Sequence, residues 1–355
     1  MSTPKFIHNK THFHQDLKKR VNQYFIDRKK AATGNFGLHF KALFFCLSYI
    51  ALYFHLVFFT PPVWWAVFEC VLVGCFTAAI GFNVMHDGGH GSFSKHKFVN
   101  RIAALSVNFL GASSIMWASK HNVIHHTYTN IDGIDDDIEA RPWLRLCETQ
   151  KRYKAHKFQH LYFWVLYSLL HILWIFLTDY QKYFKKKIGT VPLRPLKKRE
   201  HIAFWAAKIG YIAFFVVIPI IQVGWLYWLV GFLIATMVTG LLISIVFQLA
   251  HTVEHTHFPL PTDENKIEND WAIHQIETTA NFATRNKLIS WLVGGLNFQV
   301  EHHLFPKISH VHYPAISKLV KQTCEEYGLK YIEYPKMRHA IVSHVHYLKR
   351  LGQAD

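Results

Sequence analysis

Three short stretches hold the residues best able to do chemistry: His86-Asp87-Gly88-Gly89-His90, His121-Asn122-Val123-Ile124-His125-His126 and Gln299-Val300-Glu301-His302-His303. A neutral imidazole ligates transition metals, and histidines four apart on a helix share one face, where they can reach one ion. His86 and His90 have that spacing, and His121 and His125 repeat it. His126 points about 100° away from His125, towards a different partner or a second ion. A fourth set, Gln248, His251 and His255, sits where the last long apolar run ends. One zinc takes four ligands, or three and a water. Histidines this numerous are too many for one ion and suit two. Ligand type does not choose among iron, copper, nickel and zinc. Isolated histidines such as His55, His171 and His201 read instead as packing or interfacial residues, and His255 fits that description as well as it fits a ligand.

These residues need elements to position them, and the composition says which. The chain has 355 residues, 51% of them hydrophobic, and a net charge of +16. The apolar residues fall in blocks with basic residues between them, the pattern of a polytopic membrane protein. No nucleic-acid-binding motif accompanies the positive charge, so the charge is assigned to topology and nucleic acid is excluded as a partner. The five cysteines form no CxxC pair, which indicates neither a disulfide framework nor a thiolate zinc site. The polar, basic N-terminus shows no cleavable signal peptide.

Four blocks, about 40–59, 63–84, 203–223 and 225–249, are long enough to cross a bilayer as helices. Thr60-Pro61-Pro62 joins the first pair and a turn at Gln222-Val223-Gly224 joins the second, giving two hairpins. A fifth block, 161–178, is ambiguous on length. If the histidine clusters share one site, parity requires that 102–117 does not cross and that 161–178 lies in the interface or against the cytoplasmic body. Lys5, Lys10, Lys18, Lys19, Arg20, Arg28, Lys29 and Lys30 precede the first hairpin, and Lys185-Lys186-Lys187 and Lys197-Lys198-Arg199 precede the second. Neither hairpin tip carries Lys or Arg. The positive-inside rule therefore puts both termini and the histidine clusters in the cytoplasm. Lys41 and Lys208, near helix ends, are expected to snorkel. Glu69, within the second span, reads as a polar contact near its outer end. The expected fold is all-α and integral to the membrane: four transmembrane helices in two hairpins, with a cytoplasmic helical cap holding a dimetal site. Residues 1–38 form a basic cytoplasmic segment, 39–320 the main domain and 321–355 a cytoplasmic C-terminal segment.

The motifs HDGGH, HNVIHH and QVEHHLFP, in this order after paired spans, resemble those of the membrane fatty acid desaturases. The third is similar to the branch that includes front-end and bacterial acyl desaturases. The resemblance implies two non-haem irons, dioxygen, two electrons per turnover, and a cis double bond placed in a fatty acyl-CoA or acyl-lipid. Carried over by position, it makes His86, His90, His121, His125, His126, His302 and His303 the catalytic metal ligands, with His251 as an additional one. Gln299 stands where many desaturases have histidine, and an amide oxygen is the weaker ligand. Asp87, Asp135, Asp137, Glu254, Asp270 and Glu301 are candidates to orient the imidazoles, and Trp117 is a candidate to line an apolar tunnel. Thirty-eight N-terminal residues are too few for the fused cytochrome b5 domain of some front-end desaturases, so a separate ferredoxin or cytochrome b5 is the expected electron donor. The runner-up is a fatty acyl or sphingolipid hydroxylase on the same scaffold. A metal transporter fits less well, because the histidines gather at span ends; a zinc-dependent membrane hydrolase would be expected to retain zinc and work without dioxygen.

Overall fold

The computed structural model describes residues 3–7 and 11–353, so Lys10 lies outside the described residues. After a short amphipathic helix α1 (Phe13–Asp27) come two long apolar helices, α2 (Phe36–Phe59) and α3 (Val63–His90). Asn35 caps α2 by accepting the Leu38 N–H at 3.0 Å, and Thr60, with φ of 44°, makes the turn into Pro61-Pro62. Helices α4 (Lys97–Phe109) and α5 (Ser114–Tyr128) meet at a bend of 111°. Helix α6 (Lys154–Lys185) is followed by the hairpin pair α7 (Lys198–Val223) and α8 (Trp225–His251). The remainder folds into short helices α9 (Trp271–Thr278), α10 (Lys287–Leu292), α11 (Gln299–Leu304), α12 (Tyr313–Glu326) and α13 (Met337–Gln353). Two-residue parallel bridges tie Lys5–Phe6 to Lys266–Ile267 and Asn281–Phe282 to Glu333–Tyr334.

Among the described residues, five helices are long and apolar enough to cross a membrane: α2, α3, α6, α7 and α8. Their outward faces carry exposed large apolar side chains such as Phe40, Phe44, Leu47, Trp64, Phe68, Leu226 and Val230, a surface suited to lipid rather than water. Helix α8 is the hub. Its Gly240 lies so close to α6 that a Cβ there would stand 2.4 Å from the Ser168 carbonyl oxygen, and Ser244 donates to the Tyr167 carbonyl at 3.1 Å. On another side, Thr239 donates to the Gly74 carbonyl of α3 at 3.1 Å. Small and hydroxylated residues let these backbones approach closely, as membrane helices require in the absence of a hydrophobic drive.

Both ends of α6 meet the polar, histidine-bearing half of the molecule. Near its start, Gln159 accepts the Arg145 N–H at 2.9 Å, and close to its middle Tyr167 donates to His344 at 2.9 Å. Near its end, Lys182 pairs with Asp136 at 2.7 Å, and the following hairpin touches Gly133 through the Thr190 hydroxyl at 2.8 Å.

Two buried lysines, Lys41 and Lys208, depart from the sequence reading. Lys41 is 6% and Lys208 3% exposed, so neither ammonium reaches water. Lys208 is paired with Asp179 at 2.9 Å and donates to the Gly111 carbonyl at 2.7 Å, while Lys41 donates to the Trp291 carbonyl at 3.1 Å. Partners from remote segments replace the headgroup region that snorkelling would have used. Glu69 likewise has a partner: His55 lies 2.8 Å away across the first hairpin.

Candidate metal centre

The HDGGH stretch forms the last turn of α3 and follows directly on a π-helical turn, Gly81–Met85; the second cluster lies in another, Ala118–His125. Such turns insert an extra residue in the helix and concentrate at functional sites. They feed His86, His90, His121, His125 and His126 into one interior region. Helix α8 delivers His251 from its final residue, and α11 delivers Gln299, His302 and His303. Four separate segments thus converge.

The imidazoles sort into two groups. His86, His90, His121 and His302 each offer a ring nitrogen within 4.8 Å of the others, and so do His125, His251 and His303. His126 stands between the groups, its ring 4.6 Å from that of His302 and 4.5 Å from that of His303. The i,i+4 pair of the second cluster is split between them, His121 in the first and His125 in the second, although the two also come within 4.8 Å of each other and of Asp137. Asp135 accounts for the division, holding His125 Nδ1 at 3.0 Å. The Gln299 amide lies 3.1 Å from His251 Nε2 and 3.4 Å from His303 Nε2. A half-turn of that amide exchanges its nitrogen for its oxygen, so the side chain can offer an acceptor to the second group. Exposed His255 joins neither group, and Gln248 turns to the Thr252 hydroxyl at 2.7 Å.

Metal ions fit these donors. His86 Nδ1 and Nε2, His90 Nε2, His125 Nε2, His126 Nδ1, His302 Nε2 and Gln299 Oε1 are buried without a hydrogen-bond partner. Leaving so many polar atoms unpaired costs roughly 1–3 kcal/mol apiece, which is tolerable only if something else satisfies them. Burial, reinforced by neighbouring imidazoles, also holds His302 and His303 well below the usual histidine pKa. They are neutral near pH 7, the form that ligates metal.

Several rings are fixed from behind. His125 donates to Asp135, with Asp137 3.5 Å away; His303 Nδ1 faces Gln275 Oε1 at 2.8 Å; His251 Nδ1 faces the Thr278 carbonyl at 3.3 Å; His302 Nδ1 faces the Tyr313 hydroxyl at 3.1 Å. Trp117 lies under His121, nearly parallel at 4.8 Å, and so close to Gly89 that a Cβ there would meet its ring at 2.2 Å.

Comparison with known proteins bears on what such a centre does. The fatty acid desaturase family model matches residues 62–335. The chain belongs to the fatty acid desaturase family. It is 35% identical over 348 residues to an acyl-lipid (8-3)-desaturase of Physcomitrium patens, covering 97% of this chain and 72% of that one. It is 33% identical to an sn-1 linoleoyl-lipid 6-desaturase of Arthrospira platensis, covering 96% of this chain and 92% of that one. A protein of the same description from Synechocystis sp. is 34% identical, with 97% and 96% covered. These relatives place it in the front-end and bacterial branch. The chain is a fatty acyl desaturase, an oxygen-dependent oxidoreductase of lipid metabolism, and the hydroxylase alternative is not favoured.

Of the acids proposed to orient imidazoles in this desaturase, Asp135 and Asp137 reach His125, and Asp87 Oδ1 lies 3.9 Å from His86 Nδ1. Glu301 faces Asn281 and Tyr331 instead, at 2.7 Å each, and burial pushes its carboxyl up to about 7 against those hydrogen bonds. Asp270 accepts the Thr11 hydroxyl at the surface, and Glu254 is held through its backbone by Ser343 and Tyr334. Gln275, Thr278 and Tyr313 escaped the sequence reading. Nothing in their spacing marks them, since each meets its histidine through the fold.

Proposed function

We propose that this chain is a front-end acyl-lipid desaturase whose two imidazole groups each hold one iron. The observation that carries the reading is the pair of adjacent groups with unpartnered ring nitrogens. The ligands in this reading are His86, His90, His121 and His302 for one ion, and His125, His251 and His303 for the other, with His126 between them and the Gln299 amide beside the second. When bound, the two irons would activate dioxygen, the oxidant, towards an unactivated methylene pair. The net change balances as acyl –CH2–CH2– plus O2, two electrons and two protons giving –CH=CH– and two waters. The chain's residues fix the rings, exclude water by burial, and present the methylenes in one register. Trp117, packed against both the His86 ring at 6.1 Å and the His121 ring, is assigned to the wall near the reacting carbons. Electrons come from a separate ferredoxin or cytochrome b5. The names of the similar proteins favour an acyl-lipid over an acyl-CoA.

The proposed topology has four spans, α2, α3, α7 and α8, with both termini and the metal centre cytoplasmic. Two observations support it. Lys and Arg are absent from both hairpin tips, and the two ends of α6 contact the same polar half through Gln159 and Lys182. Helix α6 accordingly lies along the interface. Reporter tags flanking 154 and 185 should map to one side, and tags on opposite sides would remove the topology. The activity is tested by gas chromatography–mass spectrometry of acyl chains from cells expressing the protein with a ferredoxin, against a His302→Ala control. A double bond between an existing one and the carboxyl end is expected. A hydroxyl in its place would overturn the reading.

A further inference from the structure

The first group holds a puzzle that the second does not. His86 makes no hydrogen bond through either ring nitrogen among the described residues, yet its orientation has to be set by something. Behind it lies Asp87, 1% exposed. One carboxylate oxygen, Oδ2, is engaged by the Ser309 hydroxyl at 2.7 Å and lies 3.0 Å from His310 Nδ1, in ion-pair range though off the line of a hydrogen bond. The other, Oδ1, is turned towards His86 Nδ1 at 3.9 Å. On the far side of His310, its Nε2 lies 3.2 Å from the Lys41 ammonium, which is further held by the Trp291 carbonyl and lies 5.4 Å from the centre of the Trp291 ring.

The order of these groups fixes their roles. An ammonium has only protons to give, so His310 Nε2 accepts and the ring's proton sits on Nδ1, towards Asp87. A buried lysine on the first apolar helix and a buried carboxylate beside a metal-binding histidine thus bracket one imidazole. Buried charges are expensive unless paired, and Lys41 has given up contact with water to stay here. Three segments distant in sequence are joined in a line that ends at His86.

We propose that Lys41 and His310 are positioning residues that act through Asp87 to set the His86 ring, and that they thereby govern occupancy of the first metal position but not the second. This rests on the reading of the two groups as iron sites. Outer-shell partners of metal-bound histidines typically contribute 10–100-fold in metal affinity, and that is the expected loss when the line is cut.

The test uses the full-length protein in detergent, loaded with ferrous iron and dialysed against a chelator. Iron per chain, the Mössbauer spectrum and helical circular dichroism are read together. Wild type is expected to retain two irons in two environments. Lys41→Met and His310→Gln should each retain one, with the surviving signal that of the second group, affinity at the other 10–100-fold weaker, and helicity unchanged; Lys41→Arg, which keeps the cation, should restore the iron of the first group. Two irons held at wild-type affinity in both Lys41→Met and His310→Gln would overturn the proposal. So would loss of both irons together with helicity in both variants, since that is the signature of a purely structural role. Fewer than two irons in wild type would strike the two-iron reading itself, and so is told apart from failure of the relay.

Discussion

The two imidazole groups are built from the same residue type but held in place by different means. In the second group every ring has an outward partner: Asp135 for His125, the Thr278 carbonyl for His251 and Gln275 for His303. In the first, among the described residues, His302 alone has such a partner, Tyr313, while His121 rests on Trp117 and His86 depends on the more distant Asp87. The difference follows from where the rings come from. The second group assembles from α5, α8 and α11 inside the polar half, where loop carbonyls and amides abound. The first draws His86 and His90 from the end of α3, where neither His86 nitrogen has a hydrogen-bond partner among the described residues and Trp117 packs against the His121 ring.

The largest effects should come from removing a ring. His125→Ala or His302→Ala is expected to abolish double-bond formation and to lower metal content; full activity in either purified variant would break the assignment of the groups. Asp135→Asn keeps the shape but removes the charge behind His125. It should weaken one ion's binding by 10–100-fold, read by titration with a competing chelator, and unchanged affinity would mean that the second group does not rely on its anchors. Gln275→Leu, which leaves His303 Nδ1 only the more distant Thr129 hydroxyl at 3.3 Å, should cost about tenfold at the same ion. An effect at the other ion instead would show that the division into groups is wrong. Trp117→Leu should have the smallest effect, about 1 kcal/mol or roughly fivefold at the first ion, since stacking is worth no more than that. A loss as large as that of Asp135→Asn would erase the contrast drawn between the two halves.

Much of the centre was legible in the sequence because its ligand candidates come in tight local clusters. HDGGH, HNVIHH and the Gln299–His303 stretch announce themselves by spacing, and His251 by its place at the end of an apolar run and by family resemblance. What was not legible depends on contacts between distant segments. Lys41 looked like a snorkelling residue because its neighbours in sequence are apolar, whereas its partners are at 291 and 310. Lys208 misled for the same reason, its partner being Asp179. The division of His121 from His125 could not be read from a four-residue spacing, because Asp135 imposes it from a following turn. Of the fold, the two apolar hairpins could be outlined by hydropathy. The bend of 111° between α4 and α5 could not, since it is the tertiary setting that turns one interrupted apolar stretch into two helices.

Helix α6 has a consequence for how the molecule is made. It is 32 residues long and apolar enough to qualify as a membrane span, and it leaves the ribosome before α8, the helix on which it packs. In the proposed topology the insertion machinery therefore meets a segment it would accept, and the nascent chain has to keep that segment from crossing until Gly240 and Ser244 arrive to receive it. The polar contacts at its two ends, Gln159 with Arg145 and Lys182 with Asp136, involve residues already synthesised when α6 emerges. They can hold the helix flat before its permanent neighbour exists, so the ties that complete the finished enzyme also act as a temporary brace during biosynthesis.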